Sequence, residues 1–154
     1  MKKLTISLES IEAIVFDFDG VLTDNKVYLN QDGKESVSCS RADGLAFDVL
    51  RKLQKSVYIL STERNPVITA RAKKLKIPAI QSVNNKADGI KQLAKKEVFD
   101  LQKTLYIGND LNDYHAMQLC GYTACPSDSH NKIKEISAIV LETTGGNGIV
   151  RELL

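Results

Sequence analysis

The nearly continuous apolar run Ile11-Glu12-Ala13-Ile14-Val15-Phe16 passes directly into Asp17-Phe18-Asp19-Gly20-Val21-Leu22-Thr23-Asp24, and this junction constrains the fold more than any other stretch. Such a run describes a strand buried on both faces, as in a parallel sheet covered by helices. Side chains in a strand repeat every second position, so Asp17 and the start of the turn at Asp19 direct two carboxyl groups into one space at the strand's carboxyl end. Two such acids repel. Holding them together calls for a cation, a shared proton or a chemical task. Taken alone, Asp-x-Asp-Gly is equally a polar turn after a strand.

The surrounding pattern repeats the first strand. Val57-Tyr58-Ile59-Leu60 and Thr104-Leu105-Tyr106-Ile107 share its character, and weaker strands are expected at Ala79 to Gln81, Tyr122 to Ala124 and Ile139 to Leu141. Between them, Ala46, Val49, Leu50 and Leu53 fall at helical spacing, as do Ile90, Leu93 and Ala94. Asn65 followed by Pro66 predicts a capped helix running through Leu75. Strand and helix alternate, which implies an α/β, Rossmann-like parallel sheet covered by helices. Val27 to Val37, around Asp32-Gly33, interrupts that order and predicts an inserted β-hairpin. Gly145-Gly146-Asn147-Gly148 reads as a flexible turn.

With 154 residues, 43% of them hydrophobic, the chain fits a single domain over 1–154 with no room for a separate cap domain. Its net charge of +2 gives no electrostatic case for nucleic acid or a charged membrane. Cys39, Cys120 and Cys125 are odd in number and lack paired-ligand spacing, as expected of free thiols in a reducing cytoplasm. Met1-Lys2-Lys3 is basic, but Glu9 and Glu12 soon break the apolar sequence, so neither a secretory leader nor a membrane span is expected.

Ligands of parallel α/β sheets bind at the carboxyl ends of the strands. Those ends carry, in order, Asp17 and Asp19, then Ser61, then Lys86, then Asn109, Asp110 and Asp113. Phosphoryl transfer through a covalent intermediate uses a carboxylate nucleophile, an acid/base, hydroxyl or cationic groups on the phosphoryl oxygens, and oxygen ligands for magnesium. Singly, Ser61 could cap a helix and Lys86 could be a solvated lysine. Gly108-Asn109-Asp110-Leu111-Asn112-Asp113 is more specific, because clustered oxygen side chains after a strand suit a hard cation. No Gly-x-x-x-x-Gly-Lys-Ser/Thr is present, which excludes a P-loop enzyme.

The four groups in this order resemble the four motifs of the haloacid dehalogenase superfamily of phosphohydrolases over essentially the whole chain, and Asp-Gly-Val-Leu-Thr-Asp resembles its small capless sugar-phosphate phosphatases. A receiver domain is the rival with similar residues, but its phosphoacceptor ends the third strand, where this chain has no such acid. The resemblance implies that Asp17 forms an aspartyl phosphate, Asp19 serves as acid and then base, and Ser61 and Lys86 hold the phosphoryl oxygens. It further implies Mg2+ on Asp17, on the Asp19 carbonyl and on the fourth motif at Asn109, Asp110 and Asp113. Asn109 departs from the family's Gly-Asp-x-x-x-Asp. An amide oxygen can bind magnesium but removes one negative charge, so weaker metal binding or slower turnover is expected unless Asp110 compensates.

For substrate, the resemblance implies a small sugar-acid phosphate gripped by Gly20, Thr62, Glu63 and Lys74. Octulosonate 8-phosphate phosphatases typically carry Thr-Gly-Arg after the second motif, whereas the nine-carbon group has Glu where that Arg stands, as Glu63 does here. A sialic-acid-type nine-carbon 2-keto-3-deoxy sugar acid 9-phosphate is therefore the leading expectation, with 3-deoxy-manno-octulosonate 8-phosphate as the alternative. A weakly active oligomerisation module like those of sialic acid activating synthetases is a third reading. An ion pair between Glu63 and Lys74 is the alternative to substrate contact. Arg41-Ala42-Asp43-Gly44 resembles the family's Arg-Asp-Gly region, with Asp43 a candidate helix cap. The resemblance also implies a homotetramer whose pocket is completed by the hairpin and a neighbour.

Overall fold

The computed structural model describes residues 6–154; Met1-Lys2-Lys3, on which the expectation of no leader partly leans, lies outside the described residues. The strands are β1 (Ala13–Phe16), β2 (Tyr28–Leu29), β3 (Glu35–Ser36), β4 (Ser56–Leu60), β5 (Ala79–Ile80), β6 (Thr104–Ile107), β7 (Tyr122–Cys125) and β8 (Ile139–Val140). The helices are α1 (Arg41–Lys52), α2 (Pro66–Leu75), α3 (Lys86–Glu97), α4 (Tyr114–Leu119), α5 (Asn131–Ile136) and α6 (Ile149–Glu152). Six strands form a parallel sheet in the order β5-β4-β1-β6-β7-β8, while β2 and β3 pair separately as the inserted hairpin. This is the expected α/β, Rossmann-like architecture, and among the described residues there is no cap domain.

Strand alternation explains the layers. Ile14 and Phe16 face one side, packing with Phe47 and Leu50 of α1, Ile68 and Ala72 of α2, and Ile149 and Val150 of α6. Ala13 and Val15 face the other, packing with Ile90 and Leu93 of α3, Met117 of α4 and Ile133 of α5. Both faces of β1 are buried, which is why its sequence shows a continuous apolar run rather than alternation. The chain builds β4 and β5 on one side of β1, then crosses through α3 to β6 on the other. The sheet therefore reverses its winding at the end of β1, where a parallel α/β sheet opens a crevice.

Caps explain where helices begin. The Asn65 side chain accepts from Val67 N–H with Pro66 in the first turn, and Asn85 accepts from Asp88 N–H to start α3 at Lys86. Two expectations are corrected. Asp43 does not cap its own helix, whose cap is Ser40; its buried carboxylate instead accepts from Val150 N–H at 2.9 Å, tying α1 to the first turn of α6. Nor is the glycine-rich segment a loose turn. Gly146 N–H donates to Val21 O at 3.0 Å, and a Cβ on Gly145 would come within 2.1 Å of Gly20 O, so these glycines allow the segment to lie against the loop after β1. The hairpin is also shorter than its sequence suggests, with two residues per strand around an Asn30-capped turn.

Candidate active site

The same alternation that puts Phe16 and Phe18 in one core layer sends Asp17 to the α3 side, where Lys86 opens its helix. Lys86 Nζ lies 2.7 Å from Asp17 Oδ1 and 2.7 Å from Asp113 Oδ1, with its own side chain fully buried. Tyr106, on the same face of β6, donates to Asp113 Oδ1 at 2.8 Å. Asn109 N–H and Asp110 N–H donate to Asp113 Oδ2 at 3.0 and 3.3 Å. Asp113 is therefore saturated by four donors and fully buried, standing behind the site as the anchor of Lys86 and of the loop after β6. The expectation of Asp113 as a cation ligand is corrected on this ground: its lone pairs are already taken.

Burial and the Asp113 charge push the Asp17 carboxyl up to about 8, outweighing the nearby Lys86 ammonium. Burial disfavours the charged form of Lys86, but the Asp17 and Asp113 carboxylates more than offset it and hold its pKa above the ordinary lysine value. Asp19 is raised chiefly by burial and then by Glu63. A carboxyl with a raised pKa is suited to carry a proton toward a leaving group.

The crevice is a cavity of about 270 Å³ lined by Asp17, Asp19, Ser61, Thr62, Glu63, Asn109 and Asp110, with Asn25 and Asn112 at its edge. Ser61, at the end of β4, accepts from Glu63 N–H at 3.1 Å, which bends the following loop around the cavity. Gly20 has φ of +84°, and a Cβ there would meet the Asn109 side chain at 1.9 Å, so glycine is required for the β1 and β6 loops to approach. Lys74 lies apart: it is exposed in the last part of α2, eight residues beyond Pro66 or about 12 Å along the helix, and does not line the cavity. The alternative expectation, an ion pair between Lys74 and Glu63, is not formed among the described residues. Arg41 is likewise exposed and outside the cavity.

The sequence reading missed Asn25, Asn112 and Tyr106. Asn25 had a usable signal, since Asn is among the few residues that tolerate its φ of +65°. Tyr106 had another: a phenol hydroxyl within a fully buried strand needs a partner.

Among the described residues no group of three or more His, Cys, Asp or Glu side chains is arranged to hold a metal. The donor set that does converge is of a different kind. One end of the Asn109 side-chain amide lies 3.0 Å from the Asp19 carbonyl oxygen and 3.0 Å from Asp17 Oδ2. With the amide oxygen at that end, it stands from each of the other two oxygens at a spacing close to the edge of an octahedron with magnesium–oxygen distances of roughly 2.0–2.1 Å, about 2.9 Å. The residues present fit a small hard divalent cation.

The family profile described as haloacid dehalogenase-like hydrolase matches residues 46–153, and a 3-deoxy-D-manno-octulosonate 8-phosphate phosphatase from Haemophilus influenzae is 31% identical over 95% of this chain and 82% of its own length. The chain belongs to the haloacid dehalogenase-like hydrolases. It is a phosphatase of that family. A solved structure from Streptomyces avermitilis, assigned to the same superfamily, superposes with a TM-score of 0.94 at 39% identity, covering 96% of this chain and 85% of that one. The 3-deoxy-D-manno-octulosonate 8-phosphate phosphatase of Moraxella catarrhalis, solved with magnesium, phosphate and the sugar acid, superposes at 0.89 with 30% identity over 94% and 83% of the two chains. The profile begins within α1, so Asp17 and Asp19 precede the matched stretch, while the relatives align through them.

Proposed function

We propose that this haloacid dehalogenase-like hydrolase is a Mg2+-dependent phosphomonoesterase of a 2-keto-3-deoxy sugar acid phosphate, working through an aspartyl phosphate on Asp17. The observation that carries the reading is the convergence of Asp17, Asp19, Ser61 and the cation-fitting oxygens on one crevice, with Lys86 buried against Asp17. Asp17, the Asp19 carbonyl and Asn109 would hold the ion, with Asp110 at the cavity wall. The ion, when bound, supplies positive charge that offsets the phosphoryl oxygens and keeps Asp17 ionised.

The chain's own residues account for the remaining steps. An Asp17 carboxylate oxygen attacks phosphorus as the bond from phosphorus to the sugar oxygen breaks, and Asp19 gives its proton to the departing alkoxide. Ser61 Oγ–H and Lys86 are the donors for the phosphoryl oxygens. Water then attacks phosphorus, Asp19 takes a proton from it, and phosphate leaves with Asp17 restored.

The relatives named for 3-deoxy-D-manno-octulosonate 8-phosphate put that ester first, ahead of the nine-carbon ester favoured by sequence. Glu63 supports the nine-carbon ester as a second reading, because it lines the cavity beside Asp19 where a longer sugar would pass. A cavity of about 270 Å³ is at the low end of ligand pockets. It suits the phosphoryl end, with the sugar crossing the rim. Val27, Tyr28 and Leu29 of the hairpin are 54%, 62% and 66% exposed, which supports a homotetramer that covers them. Three free cysteines support a cytoplasmic setting.

Phosphate release from both esters, with magnesium and with chelator, tests the reading. Release from either ester that requires the metal and is lost in Asp17→Asn is expected. No release from any sugar-acid phosphate would overturn it.

A further inference from the structure

We infer that Asn109 is a built-in stand-in for the cation: without metal its side-chain NH2 bridges Asp17 and Asp19, and a divalent ion enters only when that amide turns over to present its oxygen. The inference rests on the cation site described above.

Asp17 Oδ2 and the Asp19 carbonyl oxygen are both acceptors, in surroundings where Asp17 is 5% and Asn109 6% exposed. Left facing one another without a donor, they would be poorly satisfied. The amide end that lies 3.0 Å from each has two N–H bonds available when it is the nitrogen, one for each acceptor. The metal-free site is then internally satisfied. When the same end is the oxygen, the three groups instead form an all-acceptor face suited to a cation.

The residue is held so that it can turn but not leave. Asn109 N–H is bonded to Asp113 Oδ2, its carbonyl accepts from His130 N–H at 2.9 Å, and the far end of the amide abuts Gly20. Rotation about the last side-chain bond exchanges the two ends without displacing the loop. An aspartate at this position could not play both parts, since a carboxylate 3.0 Å from Asp17 Oδ2 brings a second negative charge and no donor. The amide thus favours an ordered metal-free site at the expense of cation affinity.

The test reads metal and fold without substrate. In 15N-labelled protein, the Asn109 side-chain NH2 pair is assigned by its loss in Asn109→Asp or, should that variant not fold, in Asn109→Ala. It is expected to be protected from exchange in chelator and to move and lose protection on titration with MgCl2. Calorimetry is expected to show Asn109→Asp binding Mg2+ more tightly, on the order of tenfold. That variant should have a lower melting temperature than the parent in chelator and a larger rise with magnesium, whereas Asn109→Ala should lose stability in chelator without gaining affinity. An NH2 pair unmoved by saturating magnesium, or an Asn109→Asp protein as stable as the parent in chelator and no tighter for the ion, would overturn the inference. Failure of the parent and Asn109→Asp to bind magnesium would overturn the cation site beneath it. Absent phosphatase turnover with these responses intact would count against the proposed function alone.

Discussion

Lys86 Nζ sits 2.7 Å from Asp17 Oδ1 with the lysine side chain at 0% and the aspartate side chain at 7% exposure. The ammonium is shared with Asp113, so it both orients the proposed nucleophile and separates two buried carboxylates. Lys86→Met removes the charge between them, and breaking a buried pair in this way costs about 3–5 kcal/mol. Urea denaturation in chelator should show that loss, and turnover should fall by roughly 10²–10³-fold, as for loss of one donor to a developing charge. Tyr106→Phe leaves Lys86 in place and removes one donor to Asp113, so a smaller loss of about 1–3 kcal/mol is expected.

Burial and the Asp113 charge raise the Asp17 carboxyl against the opposing Lys86 ammonium, so as pH falls the metal-free carboxyl takes up a proton sooner than an ordinary aspartate. A divalent ion must displace that proton to use the carboxylate. The sign follows: below the raised value the proton competes, so magnesium affinity rises as pH increases from 6 to 8 and levels off above it. Calorimetry across that range in buffers of different ionisation enthalpy should show proton release on binding at the acid end. Affinity that is flat, or that falls with rising pH, would contradict the charge state assigned to Asp17.

Glu63 lines the cavity and Lys74 does not. Glu63→Ala is expected to change the ratio of kcat/KM between the eight-carbon and nine-carbon esters by about tenfold, the equivalent of roughly 1.4 kcal/mol. Lys74→Ala should leave that ratio within about twofold, consistent with substitution of an exposed side chain away from the reacting groups. A large effect of Lys74 alone would place the sugar along α2 instead.

Asp43 joins α1 to α6 through Val150 N–H, and the segment before α6 packs on the loop that follows Asp19. Asp43→Ala should lower stability by about 1–3 kcal/mol, because it leaves a buried donor unpaired. Hydrogen exchange should then quicken over 145–152 and in the loop 20–24. Quickening confined to α1 would show that the carboxylate does not couple the two.

Much of this was legible in the sequence because it depends on local rules. Buried parallel strands announce themselves as unbroken apolar runs, and the Asn65-Pro66 cap sets the start of α2. Asp17, Asp19, Ser61 and Asn109 were legible because each stands at the carboxyl end of a strand, where the fold opens. What escaped is set by tertiary contact. The saturation of Asp113 depends on Lys86, Tyr106 and two backbone amides meeting at one carboxylate, and spacing alone could not distinguish that from a metal ligand. Asp43 read as a cap for its own helix because the partner it found, Val150, lies 107 positions away. The glycines at 145 and 146 looked permissive when they are in fact required for close approach to the loop after β1. Lys74 matched a pattern in one dimension, but the helix carries it away from the crevice.

The most direct measurement is a crystal structure of the magnesium-loaded protein treated with beryllium fluoride, which mimics a phosphoryl group bonded to a carboxylate. A tetrahedral adduct on an Asp17 oxygen is expected, with Ser61 and Lys86 donating to its fluorines and the ion against Asp17, the Asp19 carbonyl and Asn109. An adduct on another residue, or an unmodified Asp17 in a crystal that holds both reagents in the crevice, would contradict it.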